Sequence, residues 1–195
     1  SDILNKPYYW DLGEQTQQKA MTLLKNEDDI LPLGKSKLKV YIENMDATVV
    51  QEYVEVVSSV SEANLAIVRL HTPWYPAESP NPYVKGFHHG DLNFKGKEKE
   101  RLIKLLDRVP TVVDIYLDRP AVIPEIASKA KALIANYGAS DRSVCEVLFG
   151  VARPLGKLPF ELPSSMTAVE DQLTDVPYDS KDPLFEFGFG LSYSR

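Results

Sequence analysis

Apolar and polar positions along the chain form a pattern that is typical of an α/β fold. Nearly continuous apolar runs at Leu65–Leu70 and Thr111–Leu117 indicate strands that are covered on both faces. Between them, Lys97–Val109 carries leucines at intervals of three and four with charges opposite, which predicts an amphipathic helix ended by Pro110. Strands that alternate with helices in this way predict helical layers around a mostly parallel sheet.

The remaining elements follow from the same reasoning. Further strands are predicted at Leu38–Ile42 and Ala132–Asn136, and further helices at Leu12–Leu24, at Pro120–Ala130 and after Ser140, an N-cap residue. The pattern of Asp46–Val60 fits either a helix or a helix followed by a short strand. We expect residues 1–195 to form a single domain, because a chain of this length can bury a sizeable core.

Two segments break the alternation. His71–Phe94 contains four prolines and five aromatic residues, so we expect a long ordered loop of functional importance. Pro154–Arg195 is rich in proline and ends with Phe185, Phe187 and Phe189 at a spacing of two. That spacing predicts an extended C-terminal tail that presses alternate rings onto the body of the protein.

The loop His71–Phe94 holds the candidate site. In parallel α/β sheets, ligands bind beyond the carboxyl ends of the strands, where this loop begins. A flat indole beside carboxyl and imidazole groups suits a sugar, whose apolar face stacks while its hydroxyls form hydrogen bonds. The candidate substrate-binding residues are Trp74, His88, His89 and Asp91. The alternative is a surface loop whose aromatic residues only attach it to the body.

Composition and missing motifs exclude several classes of function. The net charge is −6 and no Lys/Arg stripe occurs, so nucleic acid is not expected as a partner. No apolar run approaches the roughly 20 residues of a membrane helix. Cys145 is the only cysteine, so it cannot form an internal disulfide, and we expect it to pack inside as a small apolar residue. Metal-ligand spacing, phosphate loops and a nucleophile elbow are all absent from the sequence, so no metal or cofactor is predicted.

Four motifs, in one order, carry a resemblance to a known family. They are Thr22–Asn26 with Ile30–Leu33, then Arg119–Glu125, then Val147–Gly150 with Pro154–Phe160, and finally Asp182–Tyr193. Together they resemble the C-terminal domain of family 3 glycoside hydrolases over about residues 20–193. The resemblance implies an (α/β)6 fold, which is a three-layer sandwich with a central sheet of about six strands. One family motif is replaced here by Tyr137–Asp141, a departure that concerns the rim of the site and does not argue against the fold.

The resemblance also implies a function. Family members are retaining β-glycosidases that resemble β-glucosidases. They act on a carbohydrate substrate such as a β-glucoside or β-glucan. An N-terminal barrel domain, absent from this chain, carries the nucleophilic aspartate. The sandwich domain forms part of the active-site wall and in many members supplies the acid/base, for which Glu78 is the candidate and Asp91 the rival. An acid must begin the reaction protonated, and burial beside Trp74 would favour that form. The resemblance further favours a periplasmic or secreted location.

Two charged residues interrupt the buried strands. Arg69 lies within Leu65–Leu70 and Asp114 within Thr111–Leu117. An unpaired buried charge costs several kcal/mol or more, and consecutive strands of a βαβ unit are often neighbours. We therefore predict that Arg69 and Asp114 form an ion pair across the sheet.

Two other functions remain compatible with the sequence. One is a non-catalytic module that binds carbohydrate or serves as an interaction scaffold. The other is a free-standing α/β enzyme with a His/Asp site. Under the glycosidase hypothesis, the isolated chain is expected to be inactive because the nucleophile is elsewhere.

Overall fold

A computed structural model describes residues 6–34 and 38–194. The elements, in chain order, are α1 (Pro7–Ala20), β1 (Thr22–Asn26), β2 (Lys39–Glu43), α2 (Ala47–Val50), β3 (Glu55–Val57), β4 (Leu65–His71), β5 (Tyr75–Pro76), α3 (Pro82–Lys85), β6 (His88–His89), α4 (Gly96–Arg108), β7 (Thr111–Tyr116), α5 (Pro124–Lys129), β8 (Ala132–Asn136), α6 (Asp141–Leu148) and α7 (Met166–Glu170). Single 3₁₀ turns occupy Glu27–Asp29 and Val60–Glu62.

Six strands form the central sheet in the order β1-β8-β7-β4-β2-β3. All neighbouring strands run parallel except β1, which pairs antiparallel with β8 at one edge. The order places β4 and β7 in the middle, where both faces are covered and continuous apolar runs are expected. The predicted mostly parallel α/β sheet of about six strands is confirmed.

Helices cover both faces of this sheet. On one face α4 and α5 pack their buried residues, among them Leu102, Leu105 and Ile126, against alternate positions of β4 and β7. On the other face α6 buries Val144 and Leu148 against the intervening positions, and α1 and α2 lie against α6. The result is the three-layer sandwich that the fold class predicts. None of the described helices is both long enough and apolar enough to cross a membrane.

The predicted helix over Leu12–Leu24 is wrong in its last four residues. The helix α1 ends at Ala20, Met21 has an extended backbone, and Thr22–Asn26 form β1. Leu23 packs into the core on one face of the sheet and its neighbour Leu24 into the core on the other face. Two adjacent residues can be buried on opposite sides only in a strand, so tertiary packing overrides the apparent helical spacing.

Two other boundaries also differ from the prediction. The helix expected at Pro120–Ala130 begins only at Pro124, since a proline fits the first turn of a helix. Before it, Val122 forms a bridge to Asn93. In Asp46–Val60 the structure contains α2 followed by β3, which is the second of the two alternatives.

The proline-rich loop is ordered into small elements. Strands β5 and β6 pair antiparallel, with Tyr75 opposite His89 and Pro76 opposite His88, and α3 lies between them. The segment is therefore a compact hairpin, which we call the wall loop (residues 71–94). Phe94 is buried in the core and anchors its end.

The C-terminal tail is largely irregular; it contains α7 and two isolated bridges, between Leu162 and Phe185 and between Leu191 and Leu23. Phe185 and Phe189 pack against the core as expected, but Phe187 is 50% exposed and stacks on Tyr178 instead. Phe187 precedes Gly188, whose φ of 77° turns the chain, so the three rings do not share one face of a strand. The prediction of alternate rings pressed onto the body is wrong for Phe187.

Candidate active-site wall

The carboxyl edge of the sheet carries a cluster of aromatic and ionisable side chains. His71 is the last residue of β4 and pairs in register with Tyr116, the last residue of β7. Asp118 follows β7 by two residues, and the wall loop returns its own β6 to the same edge. The cluster is therefore built by the ends of two central strands and one hairpin, as expected for a ligand site in a parallel sheet.

Trp74 and His88 form a stacked pair. Their ring centroids are 4.0 Å apart with an angle of 13° between the planes. Trp74 keeps 40% of its surface exposed. The hairpin thus presents an indole that is fixed on one side and free on the other, a geometry that suits stacking of a sugar ring.

Asp118 holds this pair against the sheet. Its Oδ2 accepts a hydrogen bond from Nδ1 of His88, and its Oδ1 lies 3.9 Å from Nε2 of His71. The His71 ring in turn packs edge-on against Tyr116 at 4.7 Å. A carboxylate on the sheet and an imidazole on the hairpin therefore connect the two parts of the site.

Arg119 connects the two ends of the wall loop. Its Nη2 lies 2.5 Å from the carbonyl oxygen of Pro73 and 3.0 Å from those of Gly90 and Asp91. Three backbone carbonyls from opposite ends of the hairpin thus share one guanidinium group. Hydrogen bonds from a charged donor are stronger than neutral ones, so Arg119 is positioned to fix the base of the loop.

The structure separates the predicted site residues into two groups. Trp74 and His88 lie together at the carboxyl edge. His89 is exposed in the hairpin, and the Asp91 carboxylate accepts a hydrogen bond from Lys95. Glu78 is also exposed, in the turn between β5 and α3, so the burial expected for it beside Trp74 is not provided by this chain.

The predicted ion pair between Arg69 and Asp114 is confirmed. The two residues are in register on β4 and β7, with Arg69 Nε 3.0 Å from Asp114 Oδ2. Arg69 also donates from Nη1 to Asp141 and from Nη2 to the carbonyl oxygen of Ala139, at 2.5 Å. The arginine therefore joins the centre of the sheet to the start of α6.

Burial changes the acidity of the Asp114 carboxyl. The carboxyl is fully buried, and Oδ1 accepts a hydrogen bond of 2.7 Å from Asn136. Oδ2 has no well-directed hydrogen-bond donor among the described residues, because Arg69 lies close without aligning its Nε–H. Desolvation therefore outweighs the attraction of Arg69 and raises the pKa of Asp114 to about 6.

Cys145 plays no part in this cluster. Its side chain is buried on the inner face of α6, as predicted. Burial raises the pKa of the thiol to about 12, so the reactive thiolate is scarce at neutral pH.

A shallow groove lies beside the cluster. It has a volume of about 220 Å³ and is lined by Asn44, Arg69, Leu70, His71 and Tyr116. Pockets that enclose small ligands have volumes of about 300–1,000 Å³. The groove is therefore more consistent with one wall of a site than with a site complete in itself.

Sequence reasoning missed Asp118 and Arg119 as site residues. Both follow shortly after β7, so the end of that strand already places them at the carboxyl edge of the sheet. Their side-chain contacts with His88 and Pro73, however, depend on how the hairpin folds back. Spacing along the chain does not contain that information.

Comparison with known proteins gives a consistent picture. The family model described as "Glycosyl hydrolase family 3 C-terminal domain" matches residues 42–193. The chain is 45% identical to "Probable beta-glucosidase C" of Aspergillus flavus over 99% of its own length and 31% of that protein. It is 36% identical to "Periplasmic beta-glucosidase/beta-xylosidase" of Dickeya chrysanthemi over 99% of its length and 30% of that protein. The chain thus spans about a third of the length of these relatives.

A solved structure shares the fold. The beta-glucosidase from Listeria innocua in complex with glucose superposes with a TM-score of 0.75 at 17% identity. The superposition covers all of this chain and 35% of that one.

Proposed function

The chain belongs to the family of glycosyl hydrolase family 3 C-terminal domains, and from this premise we propose that it forms one wall of the active site of a retaining β-glucosidase. The observation that carries the proposal is the exposed Trp74 platform, fixed by His88 and Asp118 at the carboxyl edge of the sheet. Similarity to β-glucosidases over 99% of the chain supports the substrate class. The substrate is a β-glucoside or β-glucan.

A second domain completes the site in this proposal. Retaining glycosidases use two carboxyl groups about 5–5.5 Å apart, one as nucleophile and one as acid/base. We assign the nucleophile to an N-terminal barrel in the parent protein, because the relatives are about three times as long as this chain. The groove of about 220 Å³ is what one half of such a composite site would offer.

Glu78 is the proposed acid/base, with Asp91 as the rival. Exposure of Glu78 in this chain leaves it free to face a partner domain, whereas the Asp91 carboxylate is occupied by Lys95. Docking of the barrel against the wall loop would then supply the burial that favours a protonated carboxyl. His89 and Asp91 are proposed to line the substrate-binding rim near Trp74.

We expect Glu78→Gln in the parent enzyme to slow hydrolysis of alkyl β-glucosides by about 10²–10⁴-fold, the usual size of general acid catalysis. A dinitrophenyl glucoside, whose leaving group needs no proton, should form the glycosyl-enzyme at a nearly normal rate. Steady-state and burst kinetics on both substrates provide the measurement.

Asp91→Asn is the matched control, since it also removes one carboxylate from the wall loop. If Asp91→Asn alone shows the dependence on leaving group, the acid/base is Asp91. Wild-type rates on both substrates for both variants would show that neither Glu78 nor Asp91 is the acid/base.

The location proposed for the parent protein is the periplasm or the cell exterior. The support is the relative from Dickeya chrysanthemi, whose name describes it as periplasmic.

A further inference from the structure

Three side chains able to bind a metal ion converge at the carboxyl edge. His71 comes from the end of β4, His88 from β6 and Asp118 from the segment after β7. One ligand atom from each residue can be chosen so that all lie within 4.8 Å of one another. The three positions are far apart in sequence, which is why no ligand spacing predicted a metal site.

The hydrogen bond on the far side of His71 determines which nitrogen faces Asp118. Nδ1 lies 2.8 Å from the carbonyl oxygen of Thr72, which can only accept, so Nδ1 carries the hydrogen. In the neutral ring, Nε2 therefore presents a lone pair to Asp118 Oδ1 at 3.9 Å. Two acceptors face each other, an arrangement that a cation between them stabilises. Metal-bound histidines commonly donate their other ring hydrogen to a backbone carbonyl in this way.

The rings are also held in place and remain accessible. His71 packs edge-on against Tyr116 at 4.7 Å, and His88 stacks on Trp74 at 4.0 Å. The side chains of His71, His88 and Asp118 keep 36%, 31% and 18% of their surface exposed. An ion can reach the ligands from solvent, and the neighbouring rings limit how far the ligands can turn away.

From these contacts we propose that His71, His88 and Asp118 form a binding site for zinc or a similar late first-row divalent cation. Two imidazole nitrogens and a carboxylate are ligands typical of zinc, whereas magnesium and calcium prefer oxygen alone. A tetrahedral ion with bonds of about 2.1 Å separates its ligands by about 3.4 Å, so zinc binding draws His71 Nε2 towards Asp118 and moves His88 Nδ1 away from it. The ion replaces the hydrogen that His88 shares with Asp118, and solvent fills the fourth position. The site does not depend on the proposed glycosidase function.

Isothermal titration of the protein with zinc chloride tests the proposal. We expect one zinc ion to bind per chain, and magnesium at the same concentration not to compete. His71→Phe keeps the ring against Tyr116 but removes the ligand nitrogen, and Asp118→Asn keeps the size of the carboxylate. Each should weaken zinc binding about tenfold or more.

His89→Ala is the matched control, because His89 is an exposed histidine of the same hairpin outside the cluster. It should leave the affinity for zinc unchanged, and near-ultraviolet circular dichroism should show that every variant is folded. The proposal would be overturned if zinc did not bind or if magnesium competed with it. It would also be overturned if His71→Phe and Asp118→Asn bound zinc as tightly as the wild type, or if His89→Ala weakened zinc binding as much as they do. None of these outcomes depends on glycoside hydrolysis, so the test is separate from that of Glu78.

Discussion

At the scale of single residues, Asp114 shows how a fold sets the chemistry of a side chain. The Asp114 carboxyl lies in the middle of a sheet that is covered on both faces, and it is fully buried. Arg69 lies close to it, but its Nε–H does not form a well-directed hydrogen bond with Oδ2. The sequence was sufficient to predict the pair, because two charges interrupt neighbouring apolar strands. Asp141, the second partner of Arg69, could not be predicted, since it comes from the first turn of a helix rather than from the sheet.

The contribution of Asp114 to stability should fall as the pH rises from about 4 to about 6. Asp114 ionises near 3.8 when unfolded and near 6 when folded, so within this window the folded state holds an extra proton. Raising the pH therefore favours unfolding, by about 3 kcal/mol over the whole window for this one group. Urea denaturation at several pH values measures the change.

Asp114→Asn separates this effect from that of other titrating groups, because an amide does not ionise in the window. The difference in unfolding free energy between wild type and variant should change with pH by about the same amount. Parallel pH profiles for the two proteins would contradict the raised pKa.

Gly156 is a second residue whose identity is restricted by the fold, because there is no room for a side chain at this position. The tail crosses the end of α1 here, and a Cβ on Gly156 would lie 1.9 Å from the carbonyl oxygen of Ala20. Gly156→Ala should destabilise the protein by about 3 kcal/mol or more, because backbone must move to admit the methyl group. Thermal or urea denaturation provides the measurement.

Gly13 offers the opposite case for comparison. It lies inside α1, and an added Cβ would meet no other atom within 4 Å. Gly13→Ala should therefore stabilise the protein by about 0.5–1 kcal/mol through helix propensity. A loss of stability of similar size in both variants would argue against the close crossing at Gly156.

At the scale of elements, the sequence predicted best where one physical rule decides the structure. The amphipathic pattern of α4 and the apolar runs of β4 and β7 have a single interpretation, and all three elements form as expected. Prediction failed at β1, where apolar spacing fits a helix but tertiary contacts require a strand. The sequence placed the candidate site at the wall loop but did not identify Asp118 and Arg119 as part of it. Their positions relative to the wall loop depend on how the hairpin folds.

Arg119 should control the mobility of the wall loop. Arg119→Ala removes the donor shared by Pro73, Gly90 and Asp91, so amide hydrogen exchange in residues 74–90 should accelerate at least about tenfold. Exchange detected by mass spectrometry resolves this segment from the rest of the chain.

The exposed Arg108 at the end of α4 gives a matched control. Arg108→Ala should leave exchange in the wall loop as in the wild type, while Arg119→Lys should show an intermediate effect because it keeps the charge without the planar donors. Unchanged exchange in Arg119→Ala would show that the aromatic contacts alone hold the loop.

At the scale of the whole molecule, the sandwich offers a surface rather than an enclosed site. The groove at the carboxyl edge is small, the Trp74 face is open, and the chain spans about a third of its relatives. A stable scaffold that presents one wall is what a composite active site between two domains requires.

The isolated chain should therefore not hydrolyse a nitrophenyl β-glucoside. The proposed nucleophile belongs to another domain, and one wall alone should bind glucose too weakly for detection by calorimetry. Measurable turnover would contradict the division of catalytic groups between domains. Glucose binding at millimolar or lower concentration without turnover would instead favour a carbohydrate-binding module.

The contact between the tail and β1 has a consequence for biosynthesis. The backbone of Leu191 donates a hydrogen bond of 2.7 Å to Leu23, on the side of β1 that no other strand of the described sheet covers. A ribosome makes Leu191 almost 170 residues after Leu23. Until then the outer edge of β1 can pair with a neighbouring nascent chain, since open strand edges are templates for aggregation. This edge of β1 is thus covered only after the segment around Leu191 has been translated.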